Sequence, residues 1–263
     1  MIITIERYFF WLMLYSIIGW VYESFICSVA HKKFINRGFL NGPYCPIYGW
    51  GAILVILVLG RIGNPILLFL LGALLTCSLE YLTSLIMELL FHARWWDYSN
   101  KRFNINGRVC LEGAIVFGAF SALLVKVIHP LIIKYTDLIP MTAFHIMNGI
   151  LLALFVADTI ITLGGFSGFN NKLKEASALL EQARTEFGEK LSDNLSGKLT
   201  DKWSEKLSEY ILSNESYQRL ISNINKQQRR MLKAFPSFKS IRYENTLTTL
   251  RQHVSNHKWR KNK

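Results

Sequence analysis

Five apolar stretches between Tyr8 and Gly165 constrain the fold of this chain more than any other feature of its sequence. They are Tyr8–Ala30, Pro46–Leu59, Pro65–Phe91, Val109–Lys134 and Met141–Gly165. Four of them exceed the roughly 20 residues with which a helix crosses about 30 Å of hydrocarbon, and the second is shorter. We therefore predict an all-α integral membrane protein with about five transmembrane helices.

The distribution of charge predicts how these helices are oriented. Residues 1–165 contain 11 Lys and Arg against 8 Asp and Glu, and residues 166–263 contain 19 against 10. Basic segments beside a membrane stay preferentially on its cytoplasmic side. Counting back through five spans from a cytoplasmic tail places the basic loops at 32–37 and 94–108 in the cytoplasm as well. This agreement supports a full second span and predicts a multi-pass protein of the cell membrane with the N-terminus outside and the C-terminus inside.

We divide the chain into a transmembrane domain, residues 1–165, and a basic, largely helical cytoplasmic tail, residues 166–263. Apolar residues in the tail recur at helical spacing, as at Leu173, Ala176, Leu180 and Ala183. Such stripes pack on each other or on a second copy of the chain, which would make a homo-oligomer. Alternatively, the tail binds the membrane surface or a partner protein. Its basic residues do not require nucleic acid, and we predict none as a partner.

A shift of 65 residues superimposes several polar positions of the apolar region. Glu23 falls on Glu88, Arg37 on Arg102, Asn41 on Asn106, Gly42 on Gly107 and Cys45 on Cys110. Two segments of the chain that are separated by two membrane spans have the same orientation in the membrane, so these matches suggest a parallel helix–loop–helix repeat. The alternative is that two cytoplasmic loops share turn chemistry, because Asn-Gly favours tight turns.

Carboxylates inside or beside the apolar stretches are the candidate functional groups. A charge at membrane depth costs several kcal/mol, so such residues usually face a bundle interior, a partner or a water-filled path. We predict that these carboxylates and the polar residues of the two loops bind a solute in one cavity open to the cytoplasm. The predicted set is Glu23, Glu80, Glu88, Glu112 and Asp158, with Arg37, Asn41, Arg102, Asn106 and Arg108.

Three chemistries remain open for this set. The carboxylates could relay protons or hold a cation. They could instead form ion pairs with the loop arginines that lock helices together, or the mixed site could bind an anionic or zwitterionic solute through arginine. No metal-ligand spacing and no nucleophile motif is present, so we expect neither a cofactor nor an enzyme.

The chain resembles a family of bacterial membrane proteins described as putative ABC-transporter type IV, or CmpB-like. The strings that carry the resemblance are Tyr15–Glu23, Arg37–Leu40, Gly42-Pro43, Cys45–Gly49, Trp96–Ser99 and Asn106–Cys110, together with Glu80 and Glu88. The resemblance covers residues 8–165 and implies a permease. Because the chain has no Gly-rich phosphate loop, any ATPase would be a separate subunit.

The sequence therefore favours a transporter subunit that handles a small solute or ion in the lipid bilayer. The alternative is a membrane scaffold or assembly factor that does not transport and acts through its basic tail. A membrane-embedded enzyme is the third hypothesis.

Overall fold

The computed structural model describes residues 2–192, 209–211, 213–235 and 238–251, and nearly all regular structure in them is helical. The helices are α1 Ile2–His31, α2 Pro46–Leu59, α3 Pro65–Phe91, α4 Leu111–Leu123, α5 His129–Thr136, α6 Met141–Phe166, α7 Phe169–Ser192, α8 Glu215–Ser222 and α9 Lys226–Ala234. A π-helical turn, Leu124–Ile128, connects α4 to α5, and residues 244–251 are also helical. The strands have two residues each: β1 Ala93–Arg94, β2 Asn104–Ile105, β3 Val109–Cys110 and β4 Lys239–Ser240.

Four segments are long and apolar enough to cross a membrane, and this confirms the all-α membrane fold. They are Thr4–Ala30, Pro65–Phe91, Leu111–Thr136 and Met141–Glu186, with mean hydropathies of 1.5 to 2.0. Large apolar side chains on them are exposed, for example Leu74 at 67% and Ile160 at 66%. Exposed apolar surface of this kind is stable in lipid and unfavourable in water. Helix α2 has 14 residues and is shorter than these four, so the count of five spans, like the repeat, stays a prediction.

Proline and asparagine set where the helices begin. Pro46 and Pro65 are the first residues of α2 and α3, where the missing N–H of proline costs nothing. The side chain of Asn64 accepts hydrogen bonds from the N–H groups of Ile66 and Leu67, at 2.9 and 3.2 Å. Cys45 and Cys110 hold the N-cap positions of α2 and α4 with extended backbone. The helix starts are thus encoded locally, before any tertiary contact forms.

The structure divides into two compact units, and the first contains residues 1–90, 94–164 and 234–238. Helices α1 and α2 approach closely within it at Gly49, where a Cβ atom would clash with the carbonyl oxygen of Leu12 and the hydroxyl of Ser16. That hydroxyl donates to the same carbonyl at 2.7 Å. Buried apolar residues around this contact, including Met13 and Val55, form the core of the unit.

We expect Gly49→Ala to lower the free energy of unfolding by about 1 to 3 kcal/mol, because the added methyl group must push two helix backbones apart. Thermal unfolding of the purified protein in detergent measures this change. Gly149→Ala is the matched control, since Gly149 is also helical and a Cβ there meets nothing within 4 Å. Equal melting temperatures for the two variants would contradict close packing of α1 on α2.

Polar contacts connect the helices at one end of the first unit. Arg7 lies 2.6 Å from Asp137, and the indole of Trp11 donates to Thr136 at 3.1 Å. The other end carries the loop between α1 and α2 and the loop between α3 and α4. The second of these contains the antiparallel pair β2–β3, turned by Asn106 and Gly107 with φ of 52° and 68°. Both loops therefore lie at the same end of the helices, beside the candidate site.

The second unit contains residues 91–93 and the described parts of 165–233 and 239–263. The apolar stripe of α7 is buried in it, with Leu173 and Ala176 fully covered. The side chain of Asn214 caps α8 by accepting from the N–H of Tyr217 at 3.1 Å. Lys172 donates to the side chain of Gln228 at 3.0 Å. The boundary at residue 165 and the cytoplasmic location of the tail stay predictions, and residues 193–208 and 252–263 lie outside the described residues.

Candidate functional site

A cavity of about 570 Å³ lies among α1, α2, α3, α4 and α6 of the first unit. Residues of both loops and Phe235 complete its lining. Its walls are mainly aromatic and aliphatic, and the charged residues among the described lining are Glu23, Arg37 and Glu80. The volume falls within the range of roughly 300 to 1,000 Å³ that is typical of small-molecule sites.

Glu23 and Arg37 form an ion pair in the cavity wall. The Nε atom of Arg37 lies 3.4 Å from Oε2 of Glu23, and the hydroxyl of Tyr48 donates to Oε1 of Glu23 at 2.5 Å. The guanidinium also donates to the carbonyl of Ala234 and lies 4.7 Å from the ring centroid of Phe235. The positive charge of Arg37 is therefore already engaged by a carboxylate, a carbonyl and an aromatic ring.

Among the residues that the structure describes, Glu80 has no cationic partner. Its residue is 7% exposed, and its Oε1 atom accepts a hydrogen bond from the hydroxyl of Tyr98 at 3.2 Å. Its Oε2 atom is buried and accepts no hydrogen bond from any residue that the structure describes. Burial, and then the charges of Glu80 and Glu23, raise the pKa of Tyr98 well above its ordinary value, so the phenol remains a donor. A buried carboxylate with one open oxygen can accept a hydrogen bond from a ligand.

Glu88 lies outside the cavity lining, in an ion-pair network that fixes the loop between α3 and α4. Its Oε2 atom accepts a hydrogen bond from Nε of Arg94 at 2.8 Å and lies 2.7 Å from Nη2 of Arg108. Arg108 is 6% exposed and also donates to the hydroxyl of Ser84 at 3.1 Å. This network corresponds to the ion-pair alternative that the sequence left open.

Asp158 binds the loop between α1 and α2. Its Oδ1 atom accepts from the backbone N–H and the side-chain amide of Asn41, at 3.1 and 2.9 Å, and from Thr162 at 3.1 Å. Its Oδ2 atom accepts from the N–H of Gly42 at 2.8 Å and the hydroxyl of Tyr44 at 2.7 Å. Burial and the hydrogen bond to Asp158 raise the pKa of Tyr44 well above its ordinary value. Asp158 and Asn41 thus position the loop and are not part of the cavity lining.

The remaining predicted residues lie nearer the surface. Glu112 pairs with Lys101 at 2.8 Å, and both side chains are more than half exposed. Hydrogen bonding to Glu112 raises the pKa of Lys101. Asn106 donates to the hydroxyl of Tyr81 at 2.9 Å, and Arg102 is exposed. The structure therefore brings Glu23, Glu80 and Arg37 together at the cavity and separates the other seven predicted residues from its lining.

Tyr48 and Tyr98 were not among the predicted site residues, although each donates to a cavity carboxylate. Tyr98 follows Trp95 and Trp96 in the sequence, and such a cluster also suggests a belt of aromatic residues at the membrane interface. A chemical argument is the stronger indication that a tyrosine belongs to the site. A buried carboxylate without a cationic partner needs neutral hydrogen-bond donors, and tyrosine provides one.

No group of three or more His, Cys, Asp or Glu suited to a metal occurs among the described residues.

Comparison with known proteins assigns the chain to a family. A model of the family described as "Putative ABC-transporter type IV" matches residues 10–163. The chain belongs to this family. The type IV family region includes all ten predicted site residues and the cavity lining except Phe235. The chain matches no curated protein and no solved structure at a significant level.

Membership in the type IV family confirms the resemblance on which the sequence analysis relied. Together with the four apolar helices, it indicates a multi-pass membrane protein that is a transporter component and not an enzyme. The family assignment does not extend to a solute, to the residues that contact it or to an orientation in the membrane.

Proposed function

We propose that this protein is the membrane-embedded subunit of a transporter and that its cavity binds the transported solute. One observation carries the proposal: Glu80 is buried with an open carboxylate oxygen in the lining of a cavity of about 570 Å³. Burying a side-chain oxygen without a hydrogen-bond partner is costly, and a purely structural role would leave that cost without compensation. A solute that occupies the cavity would supply the missing partner.

Four of the other predicted residues, Glu88, Arg108, Asp158 and Asn41, support this site from outside. Arg94 and Arg108 hold one loop on Glu88, and Asp158 holds the other loop through Asn41, Gly42 and Tyr44. Ion pairs and hydrogen bonds around a site fix the geometry of the groups that contact a ligand. We therefore assign solute contact to Glu23, Arg37 and Glu80, and positioning to the rest of the described network.

The cavity end of the first unit is the cytoplasmic end in this proposal. Both basic loops lie there, and basic loops beside a membrane stay inside, which gives an outer N-terminus and a cytoplasmic tail. The chain contains no phosphate loop, so ATP hydrolysis would belong to a separate subunit that docks on the cytoplasmic side.

A ligand panel tests the proposal. The purified protein in detergent is heated with ions, amines, amino acids, nucleotides and lipid headgroups, because a ligand that binds only the folded state raises the melting temperature. We expect at least one ligand to stabilise the wild type. At a ligand concentration of 100 times its Kd, the free energy of unfolding should rise by about 2.7 kcal/mol. Stabilisation should disappear in Gly51→Phe, since Gly51 lines the cavity and a Cβ there lies 3.6 Å from Leu79 and clashes with nothing.

Glu112→Gln is the matched control, because it removes a carboxylate that lies outside the cavity lining. It should bind every ligand as the wild type does. A panel without any hit, or hits that Gly51→Phe binds equally well, would contradict a solute site in the cavity. That result, combined with loss of cellular function on neutralising Arg229 and Arg230, would favour the scaffold hypothesis.

A further inference from the structure

We infer that the cavity takes an organic cation, with a protonated amine against Glu80 and an apolar body against the aromatic walls. This inference rests on the proposed function and specifies its substrate class. It starts from the charge of the cavity. Glu23 and Arg37 neutralise each other, and Glu80 is the one carboxyl group without a basic partner among the described lining residues.

An anion does not fit this charge. The guanidinium of Arg37 is bound by Glu23, by the carbonyl of Ala234 and by the ring of Phe235. A bound carboxylate or phosphate would place a further acidic group beside Glu23 and Glu80 at low dielectric. A cation instead compensates Glu80 without disturbing the ion pair.

An inorganic cation does not fit the donors. Hard cations such as Mg²⁺ and Ca²⁺ take six or more oxygen ligands, several of them carboxylates. The described residues contain no group of three potential metal ligands, and Glu80 offers one open oxygen. An ammonium group carries its own N–H donors, so one carboxylate oxygen is a sufficient partner for it.

Aromatic rings from three helices favour an organic ammonium over an inorganic ion. Tyr22 lies edge-on to Phe120 with ring centroids 5.2 Å apart, and Tyr48 lies 6.5 Å from Tyr22 and 6.3 Å from Phe117. All four rings line the cavity. Aromatic faces attract cations and at the same time bury apolar carbon. A molecule with a cationic group and a hydrophobic body uses both properties.

A matched set of probes tests this inference. Isothermal titration of the full-length protein in detergent compares 4-phenylbutylamine with 4-phenylbutanol, 4-phenylbutanoate and the N,N,N-trimethyl derivative of the amine. We expect the amine to bind roughly tenfold more tightly than the alcohol, and the carboxylate not to bind. The trimethyl derivative, which has no N–H for Glu80, should bind more weakly than the amine.

Variants assign the preference to Glu80. Glu80→Gln should weaken binding of the amine about tenfold and leave binding of the alcohol unchanged, whereas Glu112→Gln should change neither. Equal affinity of the amine and the alcohol for the wild type would overturn the inference, as would an amine affinity that Glu80→Gln leaves intact. If the alcohol or carboxylate binds best and Gly51→Phe abolishes that binding, the charge preference is wrong and the cavity is still a solute site. If Gly51→Phe changes the binding of no probe, the proposed function fails as well.

Discussion

Glu80→Gln is expected to raise the stability of the ligand-free protein while it weakens ligand binding. In the wild type, Oε2 of Glu80 is buried without a partner among the described residues, and a buried polar group left unpaired costs about 1 to 3 kcal/mol, more when it is charged. Glutamine has the same shape, and its carbonyl oxygen can still accept the hydrogen bond from Tyr98. The substitution keeps the packing and prevents ionisation, and the new NH2 group takes the buried position of Oε2. We expect the free energy of unfolding to rise by about 1 kcal/mol.

Thermal unfolding in detergent, with and without the best ligand of the panel, measures both effects. Without ligand, the wild type should melt at a lower temperature than Glu80→Gln. With ligand, the wild type should melt at the higher temperature of the two. Such an exchange of stability for function is characteristic of residues retained for their chemistry. If Glu80→Gln instead melts well below the wild type without ligand, Glu80 stabilises the fold and the cavity loses its main candidate residue.

Asp158→Ala is expected to lower the free energy of unfolding by about 3 kcal/mol, because hydrogen bonds to a charged group contribute about 1.5 to 3 kcal/mol each and are not additive. The substitution leaves the N–H groups of Asn41 and Gly42 and the hydroxyl of Tyr44 without their acceptor. Chemical denaturation or thermal unfolding in detergent measures the loss.

Asp137→Ala is the control for Asp158→Ala. Asp137 also forms a close contact, with Arg7, but the two side chains are 47% and 39% exposed, and exposed ion pairs contribute at most about 1 kcal/mol. Asp158→Asn should fall between the wild type and Asp158→Ala, since an amide oxygen still accepts. A melting temperature of Asp158→Ala equal to that of the control would show that the loop does not depend on Asp158.

The boundaries of α2 and α3 could be predicted from the sequence because they depend on local chemistry, whereas the predicted span Val109–Lys134 begins with strand β3 and is divided by a π-helical turn. The predicted stretches Pro46–Leu59 and Pro65–Phe91 coincide with α2 and α3, where proline marks each start. The predicted Met141–Gly165 ends one residue before α6 does. The two-residue strands β2 and β3 were not predicted, because an alternation of period two cannot be recognised over so few residues.

The faces of the helices could not be predicted, and the site residues depend on them. Helices that are apolar on every side carry no periodic signal that orients them. Glu80 and Glu88 are eight residues apart, which is about 12 Å along the helix axis. One carboxylate therefore lines the cavity, whereas the other meets Arg94 and Arg108 of the loop. Contacts between loops and distant helices, such as that of Asn41 with Asp158, have no signature in the sequence.

Uptake into cells that produce the protein provides the decisive measurement. Each ligand that stabilises the purified wild type is supplied in labelled form, and its accumulation is compared between wild type, Glu80→Gln and Glu112→Gln at equal abundance in the membrane. We predict accumulation with the wild type and Glu112→Gln, and a loss of at least about tenfold with Glu80→Gln. Equal accumulation by all three proteins would contradict the assignment of the cavity as the solute site.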